Sequence, residues 1–239
     1  KHSDFANRPI RNMVAIGAVT PISFRLWIRC RKPGAASIRW FPEGQREMQE
    51  KTVVIDADNA SDNTIGVTIG GSHAPLLPLT RYGYQVTFPG DGAREEVGTI
   101  ETAPADVTDT PDRYSFALLS CNQPFKSDGR IDEEADQMLT AARRCFKTHN
   151  TKFVLMIGDQ MYADMPANLS LFNPDYFRRI APPGRDAIQA CTVDEIRRLY
   201  QRRYRHFWNL PGWFDIHREL PSYMMWDDHD IVDNWGSAP

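Results

Sequence analysis

The stretch FVLMIGDQMYAD, residues 153–164, decides how the second half of the chain is expected to fold. Its first five residues form an apolar run of the kind found in strands that are buried on both faces, as in parallel sheets. Gly158 and Asp159 follow this run at once. A buried strand that ends on polar residues presents their side chains at the carboxyl edge of a sheet, where open α/β sheets place their binding crevices.

Two further apolar runs, 114–119 and 222–226, have the same character. Helical patterns lie between the three runs. Residues 131–146 repeat apolar side chains on one face, and Thr192 with Glu195 has the spacing of a capping box that opens another helix. Strands that alternate with helices predict a layered α/β region with a parallel sheet.

The first hundred residues have a different pattern, with alternating apolar and polar positions and frequent turn signals. Seven segments rich in Val, Ile, Thr and aromatic residues are expected to be strands: 14–19, 23–31, 37–42, 51–56, 64–70, 82–88 and 95–102. Short strands at this spacing predict a β-sandwich. The spacing Leu76-x-Pro78-x-Thr80-x-Tyr82 resembles the tyrosine corner of immunoglobulin-like and fibronectin-type-III domains. We therefore expect Tyr82 to be buried, with its hydroxyl bonded to the backbone near 76–78.

The composition divides the chain into three parts. Residues 1–104 form the expected sandwich, residues 105–113 read as a linker because they combine prolines with small and acidic residues, and residues 114–239 form the α/β region. So few sheet strands in the last part would leave apolar surface exposed. The fold class expected is therefore multi-domain: an all-β sandwich followed by the first half of an α/β domain, whose C-terminal half is missing or lies on a separate chain.

The overall composition excludes several classes of protein. An apolar share of 41% is enough for a core and argues against disorder. The 28 basic and 31 acidic residues leave a net charge of −3, which is too balanced for a protein that coats nucleic acid. No apolar run approaches the roughly 18 residues of a membrane-spanning helix. The four cysteines allow three complete pairings and the sequence selects none, so the compartment stays open.

Side chains that can bind metal follow all three strands of the expected α/β sheet. Cys121 comes after the first strand, Asp159 and Tyr162 come after the second, and the acidic run 227–230 comes after the third. Clustered carboxylates repel each other unless a cation neutralises them, so the combined set favours a metal site over coincidence. Each residue alone has an ordinary alternative: Asp159 as a helix cap, Cys121 as a small buried side chain, and Tyr162 as part of the core.

The same residues resemble the successive motifs of a known family. Ser120-Cys121, Gly158-Asp159-x-x-Tyr162 and Trp226-Asp227-Asp228-His229-Asp230 are similar to those of the alkaline phosphatase D family, a branch of the metallophosphoesterases. That family also carries a small β-sandwich ahead of its catalytic domain, so the resemblance spans nearly the whole chain. It implies hydrolysis of phosphate monoesters or diesters by a water molecule that metal ions activate.

The resemblance also implies a set of metal ligands. Asp159 would bridge two metal ions. Cys121 and Tyr162 would bind the first ion as thiolate and phenolate, a pairing that suits Fe(3+). Asp228, with Asp227 as a further candidate, would bind the second ion through oxygen atoms, which suits Ca(2+). Zn(2+) or Mn(2+) are alternatives.

His229 completes the catalytic set that the resemblance implies. It would face the phosphate and either stabilise its developing charge or protonate the leaving oxygen. Gln123 stands where many relatives in the wider superfamily have a histidine. Family members carry a later Gly-Asp-x-His or Gly-His-x-His segment that completes the metal shell, and the expected partners are therefore this second half and a small phosphate ester. The family suggests a secreted or periplasmic location. The alternative is a non-catalytic binding or scaffold protein with a relic metal site.

Five arginines crowd the expected helix after Thr192: Arg197, Arg198, Arg202, Arg203 and Arg205. Arginine stems readily cover apolar groups while their charged heads stay in water. The pattern therefore predicts a solvated helix face in preference to a phosphate-binding site.

Overall fold

The structure, a computed structural model, describes residues 9–45, 47–56, 61–90, 95–109 and 113–236. Seven strands fill the first part of the chain: β1 (Met13–Gly17), β2 (Ser23–Arg29), β3 (Gly34–Pro42), β4 (Gln49–Ile55), β5 (Thr64–Gly70), β6 (Arg81–Thr87) and β7 (Glu95–Glu101). They form two antiparallel sheets, ordered β1-β2-β5 and β4-β3-β6-β7. The expected all-β region is confirmed.

Alternation along the strands builds the core between the two sheets. Phe24, Leu26 and Ile28 are fully buried on one face of β2, and Tyr84 and Val86 face them from β6. Because the side-chain period of a strand is two, the intervening residues of β2 lie on the opposite face of its sheet. That opposite face is where the sandwich meets the rest of the chain.

The tyrosine corner is present. Tyr82 is buried, and its hydroxyl oxygen accepts a hydrogen bond of 2.9 Å from the backbone N–H of Leu77. The bond ties the start of β6 to the segment that crosses between the sheets. The expectation drawn from the spacing of Leu76 to Tyr82 is therefore confirmed.

The second part of the chain is an α/β layer. Its elements are β8 (Ser115–Leu119), α1 (Glu133–Thr148), β9 (Thr151–Ile157), α2 (Pro174–Ile180), α3 (Val193–Phe207), α4 (Pro211–Glu219) and β10 (Ser222–Met225). The three strands are ordered β10-β9-β8 and all pair in parallel, as expected. Thr192 and Glu195 form the expected capping box at the start of α3. Helices α1 and α4 cover one face of the sheet with Leu139, Trp213 and Ile216.

The opposite face of this sheet lies open. Phe116, Leu118 and Met225 are each more than half exposed on it. Large apolar side chains that share one exposed sheet face mark a surface that another element covers.

Among the described residues no helix is both long enough and apolar enough to cross a bilayer.

The expected linker, 105–113, contains a short 3-10 turn at Val107–Asp109. Residues 110–112 of that linker, like 1–8 and 237–239 at the two termini, lie outside the described residues. The boundaries expected for the three parts therefore stay predictions.

The sandwich and the α/β layer share a packed interface. Trp27 on β2 meets Trp208 edge to face, with ring centroids 5.9 Å apart. The hydroxyl of Tyr84 donates a 2.7 Å hydrogen bond to the carbonyl oxygen of Arg218. A Cβ at Gly98 would lie 2.3 Å from that same carbonyl oxygen, so only glycine permits this approach.

Arg203 departs from the solvated helix face predicted for the arginines of α3. It is 2% exposed, and its guanidinium donates hydrogen bonds of 2.6–2.7 Å to the carbonyl oxygens of Tyr162, Met165 and Leu169. The carbonyls offset the cost of burying the charge and its five N–H groups. The predicted solvated position is therefore wrong for Arg203. Its guanidinium is buried because it binds the carbonyl groups of the loop that follows β9.

Candidate metal centre

The residues that end β8 and β9 adopt an uncommon backbone conformation. Cys121 and Asp159 both lie in the left-handed region, with φ of 60° and 52°. Non-glycine residues are held there only where the surrounding structure imposes it, and such positions cluster at functional sites. The N–H of Asn122 donates to the carbonyl of Asp159 at 2.9 Å, and its side-chain amide donates to the carbonyl of Gln160 at 3.1 Å. These bonds lock the two strand ends together.

Gly158 lets the third strand end approach the other two. Its φ is 108°, and an added Cβ would lie 2.4 Å from the Cβ of Asp227. Asp227 accepts a 2.9 Å hydrogen bond from the N–H of Asp228 and so caps the 3-10 turn Asp228–Asp230. The absence of a side chain at 158 therefore brings this turn beside Asp159.

Asp159 lies at the centre of the converging side chains. Its Oδ2 is 3.4 Å from Sγ of Cys121 and 3.1 Å from the hydroxyl of Tyr162. Asp159, Asp228 and His229 each offer one ligand atom, and these atoms all lie within 4.8 Å of one another. Five of the six residues predicted for the site thus come together. Asp227 is the sixth predicted residue, and it lies outside this cluster because its side chain caps the turn Asp228–Asp230.

These residues fit a metal ion. Asp159 is 6% exposed, and among the described residues its Oδ1 has no hydrogen-bond partner. A buried carboxylate oxygen without a partner is costly, and a cation is the partner that relieves the cost. Burial first, then the neighbouring Cys121 and Asp159, raise the pKa of the Tyr162 phenol well above its usual range. A cation beside these groups acts in the opposite direction and favours the phenolate.

Backbone hydrogen bonds favour the charged form of the Asp228 carboxylate. Its carboxylate accepts hydrogen bonds from the backbone N–H of Asn234 at 2.7 Å and from its neighbour His229 at 2.9 Å. The Asn234 bond is the largest cause of the lowered pKa of Asp228, and the N–H of His229 adds to it. The side chain is partly buried, and the turn presents its carboxylate beside Asp159.

His229 is oriented by Asp164, a residue for which the sequence suggested no role. Nδ1 of His229 lies 3.0 Å from both carboxylate oxygens of Asp164, and the imidazole stacks on Tyr162 with centroids 4.4 Å apart. Burial lowers the pKa of His229, because it disfavours the charged imidazole. The carboxylate of Asp164, followed by those of Asp159 and Asp228, favours the charged form more strongly, so the net effect is a raised pKa. Asp164 lies in the same stretch as Asp159, yet nothing in the spacing connects it to residue 229.

Two further polar residues support the centre from outside. Asp230 is buried and accepts hydrogen bonds from the N–H groups of Met161 and Asp227, both at 3.1 Å, and from the Tyr204 hydroxyl at 2.9 Å. It therefore fastens the third strand end to the second. The Oε1 of Gln123 accepts from the N–H of Phe125 at 3.1 Å, so this side chain braces its own turn.

A model of the PhoD-like phosphatase family matches residues 116–238, which is just over half of the chain. This chain belongs to the PhoD-like phosphatase family. The resemblance drawn from the three strand-end motifs is thereby confirmed.

Solved structures resemble this PhoD-like chain to different extents. A structure of PhoD is 18% identical with a TM-score of 0.63, and the match covers 96% of this chain but 41% of that one. The similarity shows the fold, and the chain spans less than half the length of that structure. A fibronectin-type-III domain of human collagen alpha-1(XX) is 15% identical with a TM-score of 0.32, covering 48% of this chain and 97% of its own. No curated protein matches.

Proposed function

We propose that this PhoD-like chain takes part in the metal-dependent hydrolysis of phosphate monoesters or diesters. The observation that carries the proposal is the convergence of ligand atoms of Asp159, Asp228 and His229 within 4.8 Å, with Cys121 and Tyr162 beside Oδ2 of Asp159. A scaffold protein has no need for two strained strand ends at the point where a buried carboxylate oxygen has no hydrogen-bond partner among the described residues. We therefore prefer the enzyme to the scaffold.

The donor chemistry supports two kinds of metal position in this proposal. Cys121 and Tyr162 offer a thiolate and a phenolate, which suit Fe(3+), and Asp228 offers carboxylate oxygen, which suits Ca(2+). Asp159 contacts Cys121 and Tyr162 and has a ligand atom within 4.8 Å of one on Asp228, so it is the bridging candidate. Asp227 remains a candidate ligand, and Zn(2+) or Mn(2+) remain alternatives. When bound, such ions supply Lewis acidity toward the phosphoryl group and lower the pKa of water.

The chain's own residues supply the proton chemistry. Asp164 holds Nδ1 of His229, which leaves Nε2 as the ring nitrogen that can meet the ester. The carboxylate of Asp164 stabilises a protonated imidazole, and the proton on Nε2 can pass to the leaving oxygen or bind a phosphoryl oxygen. The stack of His229 on Tyr162 fixes the plane in which the proton is offered.

The substrate class follows from this chemistry as a small phosphate ester, with nucleic acid included only as a diester. A secreted or periplasmic location belongs to the same proposal, on the strength of the family alone.

A second structural part completes the proposed enzyme. The side of the three-stranded sheet that α1 and α4 leave open exposes Phe116, Leu118 and Met225. We expect a further half-domain, on the same polypeptide or a separate one, to cover this face and to add ligands to the metal centre. Phe116→Lys with Leu118→Lys should then reduce the yield of active complete enzyme. Unchanged activity of the complete enzyme would show that the face stays open.

The function is tested by metal content and hydrolysis in protein that includes any such second part. Wild-type protein loaded with Fe(3+) and Ca(2+) should hydrolyse p-nitrophenyl phosphate or its bis ester. Asp159→Asn should abolish turnover and lower the metal content. Asp186→Asn, an exposed carboxylate outside the centre, is the matched control and should change neither. Metal-loaded wild-type protein with no activity on either ester would favour the scaffold reading.

A further inference from the structure

Helix α3 presents one row of side chains to the two segments that carry most of the candidate metal ligands. The members of the row are three or four positions apart, which places them on one face of the helix: Tyr200, Arg203, Tyr204 and Phe207. Arg203 binds the carbonyl groups of the loop after β9, and the ring of Phe207 stacks on Tyr162 with centroids 6.4 Å apart. These two residues of the row therefore hold the loop that carries Tyr162.

The two tyrosines of the row hold the turn after β10. The Tyr204 hydroxyl donates a 2.9 Å hydrogen bond to Oδ1 of Asp230, and the Tyr200 hydroxyl donates a 2.7 Å hydrogen bond to the carbonyl oxygen of Ile231. Burial is the largest cause of a raised pKa for both phenols, so both hydroxyls keep their protons and remain donors at neutral pH. Both acceptors lie just after Asp228 in the chain, so the bonds fasten the turn that carries this carboxylate.

The loop after β9 and the turn after β10 also bind each other. The N–H of Ala163 donates to the carbonyl oxygen of His229 at 3.0 Å. The N–H of Met161 donates to the same oxygen of Asp230 that accepts from Tyr204. Helix α3, the loop and the turn therefore contact one another in all three pairings. Because a helix is a rigid element, its contacts with both segments fix how far apart the segments lie.

We propose that Tyr200 and Tyr204 are positioning residues for Asp228, the candidate ligand of the second metal ion. The inference rests on the proposed function, because it concerns the ion that this carboxylate would bind. The two hydroxyls hold the turn where ligand atoms of Asp159 and Asp228 lie within 4.8 Å of each other. Partners that orient metal ligands from outside change metal affinity by about 10–100-fold when they are removed. Loss of both hydroxyls therefore weakens binding at Asp228 and leaves Tyr162 in place.

The double variant Tyr200→Phe with Tyr204→Phe removes the two hydroxyls and keeps the rings. Tyr84→Phe is the matched control, because it removes a tyrosine hydroxyl that also donates a 2.7 Å hydrogen bond to a carbonyl oxygen, that of Arg218. The first measurement is hydrogen–deuterium exchange of metal-free protein that includes any second part. Backbone amides of residues 228–235 should exchange about fivefold faster or more in the double variant, and at the wild-type rate in the control.

The second measurement is metal binding by the same proteins. The Ca(2+) affinity of the double variant should fall by about tenfold or more, whereas the Fe(3+) absorption band expected from Tyr162 should remain. Tyr84→Phe should change neither. A purely structural role of the hydroxyls would loosen both metal positions together, so equal loss of Ca(2+) binding and of the iron band in the double variant overturns the proposal.

The exchange measurement separates this proposal from the proposed function. Unchanged exchange of residues 228–235 in the double variant, or equally faster exchange in Tyr84→Phe, overturns the positioning role whatever the activity of the wild-type protein. Wild-type protein that binds both ions but hydrolyses neither p-nitrophenyl ester refutes the proposed function alone. The positioning role then still stands on the exchange and Ca(2+) results.

Discussion

Both carboxylate oxygens of Asp164 lie 3.0 Å from Nδ1 of His229, although the two residues are 65 positions apart in the chain. The pair joins the loop after β9 to the turn after β10. It leaves Nε2 as the imidazole nitrogen free to face the candidate metal centre, and it favours the charged form of the imidazole. In a PhoD-like chain this makes Asp164 the positioning residue for the proposed proton donor.

Asp164→Asn should lower the pKa of His229 in metal-free protein. Burial disfavours the charged imidazole, and Asp164 is the largest contribution that outweighs it, so removal of its charge leaves burial less opposed. An NMR titration of the imidazole protons measures the change. Asp233→Asn is the control, since its carboxylate lies 3.9 Å from Nε2 and is mostly exposed. A shift as large in Asp233→Asn as in Asp164→Asn would contradict the assignment.

Fe(3+) loading should produce a visible absorption band from a phenolate–iron contact, and Tyr162→Phe should remove it. Tyr162 is the phenol beside Asp159, with its hydroxyl 3.1 Å from Oδ2. Asp228→Asn should keep the band and reduce the amount of Ca(2+) bound, because the carboxylate belongs to the other proposed position. Absorption spectra and elemental analysis measure both effects. Persistence of the band in Tyr162→Phe would exclude this residue as the phenolate ligand.

Gly158→Ala should destabilise the protein more than Gly184→Ala does. Both glycines have positive φ, of 108° and 78°, so both substitutions cost about 1–2 kcal/mol in backbone conformation. Only at 158 does the new Cβ meet another atom, 2.4 Å from Cβ of Asp227. Urea unfolding measures the difference, and calorimetry should also show weaker metal binding for Gly158→Ala. Equal stability of the two variants would mean that Asp227 moves aside freely.

Arg203→Met should lower the free energy of unfolding by about 3 kcal/mol or more, because three carbonyl oxygens lose their buried, charged donor. Arg202→Met, on the same helix, is expected to change it by less than about 0.5 kcal/mol. Denaturant titration measures both. Similar losses in the two variants would show that the buried hydrogen bonds contribute little.

Tyr82→Phe should lower the free energy of unfolding by about 1–2 kcal/mol, because the N–H of Leu77 loses its buried acceptor. The hydroxyl of Tyr114, which is half exposed, provides the control, and Tyr114→Phe should be nearly neutral. A neutral Tyr82→Phe would show that water replaces the lost bond.

The sequence alone determined the elements and the edge at which the polar side chains collect. Short apolar runs, a capping box and the corner spacing around Tyr82 are local signals, because strand and helix periodicity is written in neighbouring residues. Three strands with parallel pairing necessarily bring residues such as Cys121, Asp159 and Asp228 to one edge. The structure brings these side chains together. Their expected roles as metal ligands remain predictions, because their positions do not by themselves identify a bound ion.

Only the tertiary structure decided how those segments contact one another. Asp164 meets His229, Arg203 caps three carbonyls, and Gly158 admits Asp227 because loops distant in sequence approach within hydrogen-bonding or van der Waals distance. No periodicity encodes such contacts, since they depend on the lengths and directions of the connections between strands. The same holds for the ion pair of Arg205 with Asp62: the two residues belong to different layers, and only packing of the sandwich against α3 brings their charges together.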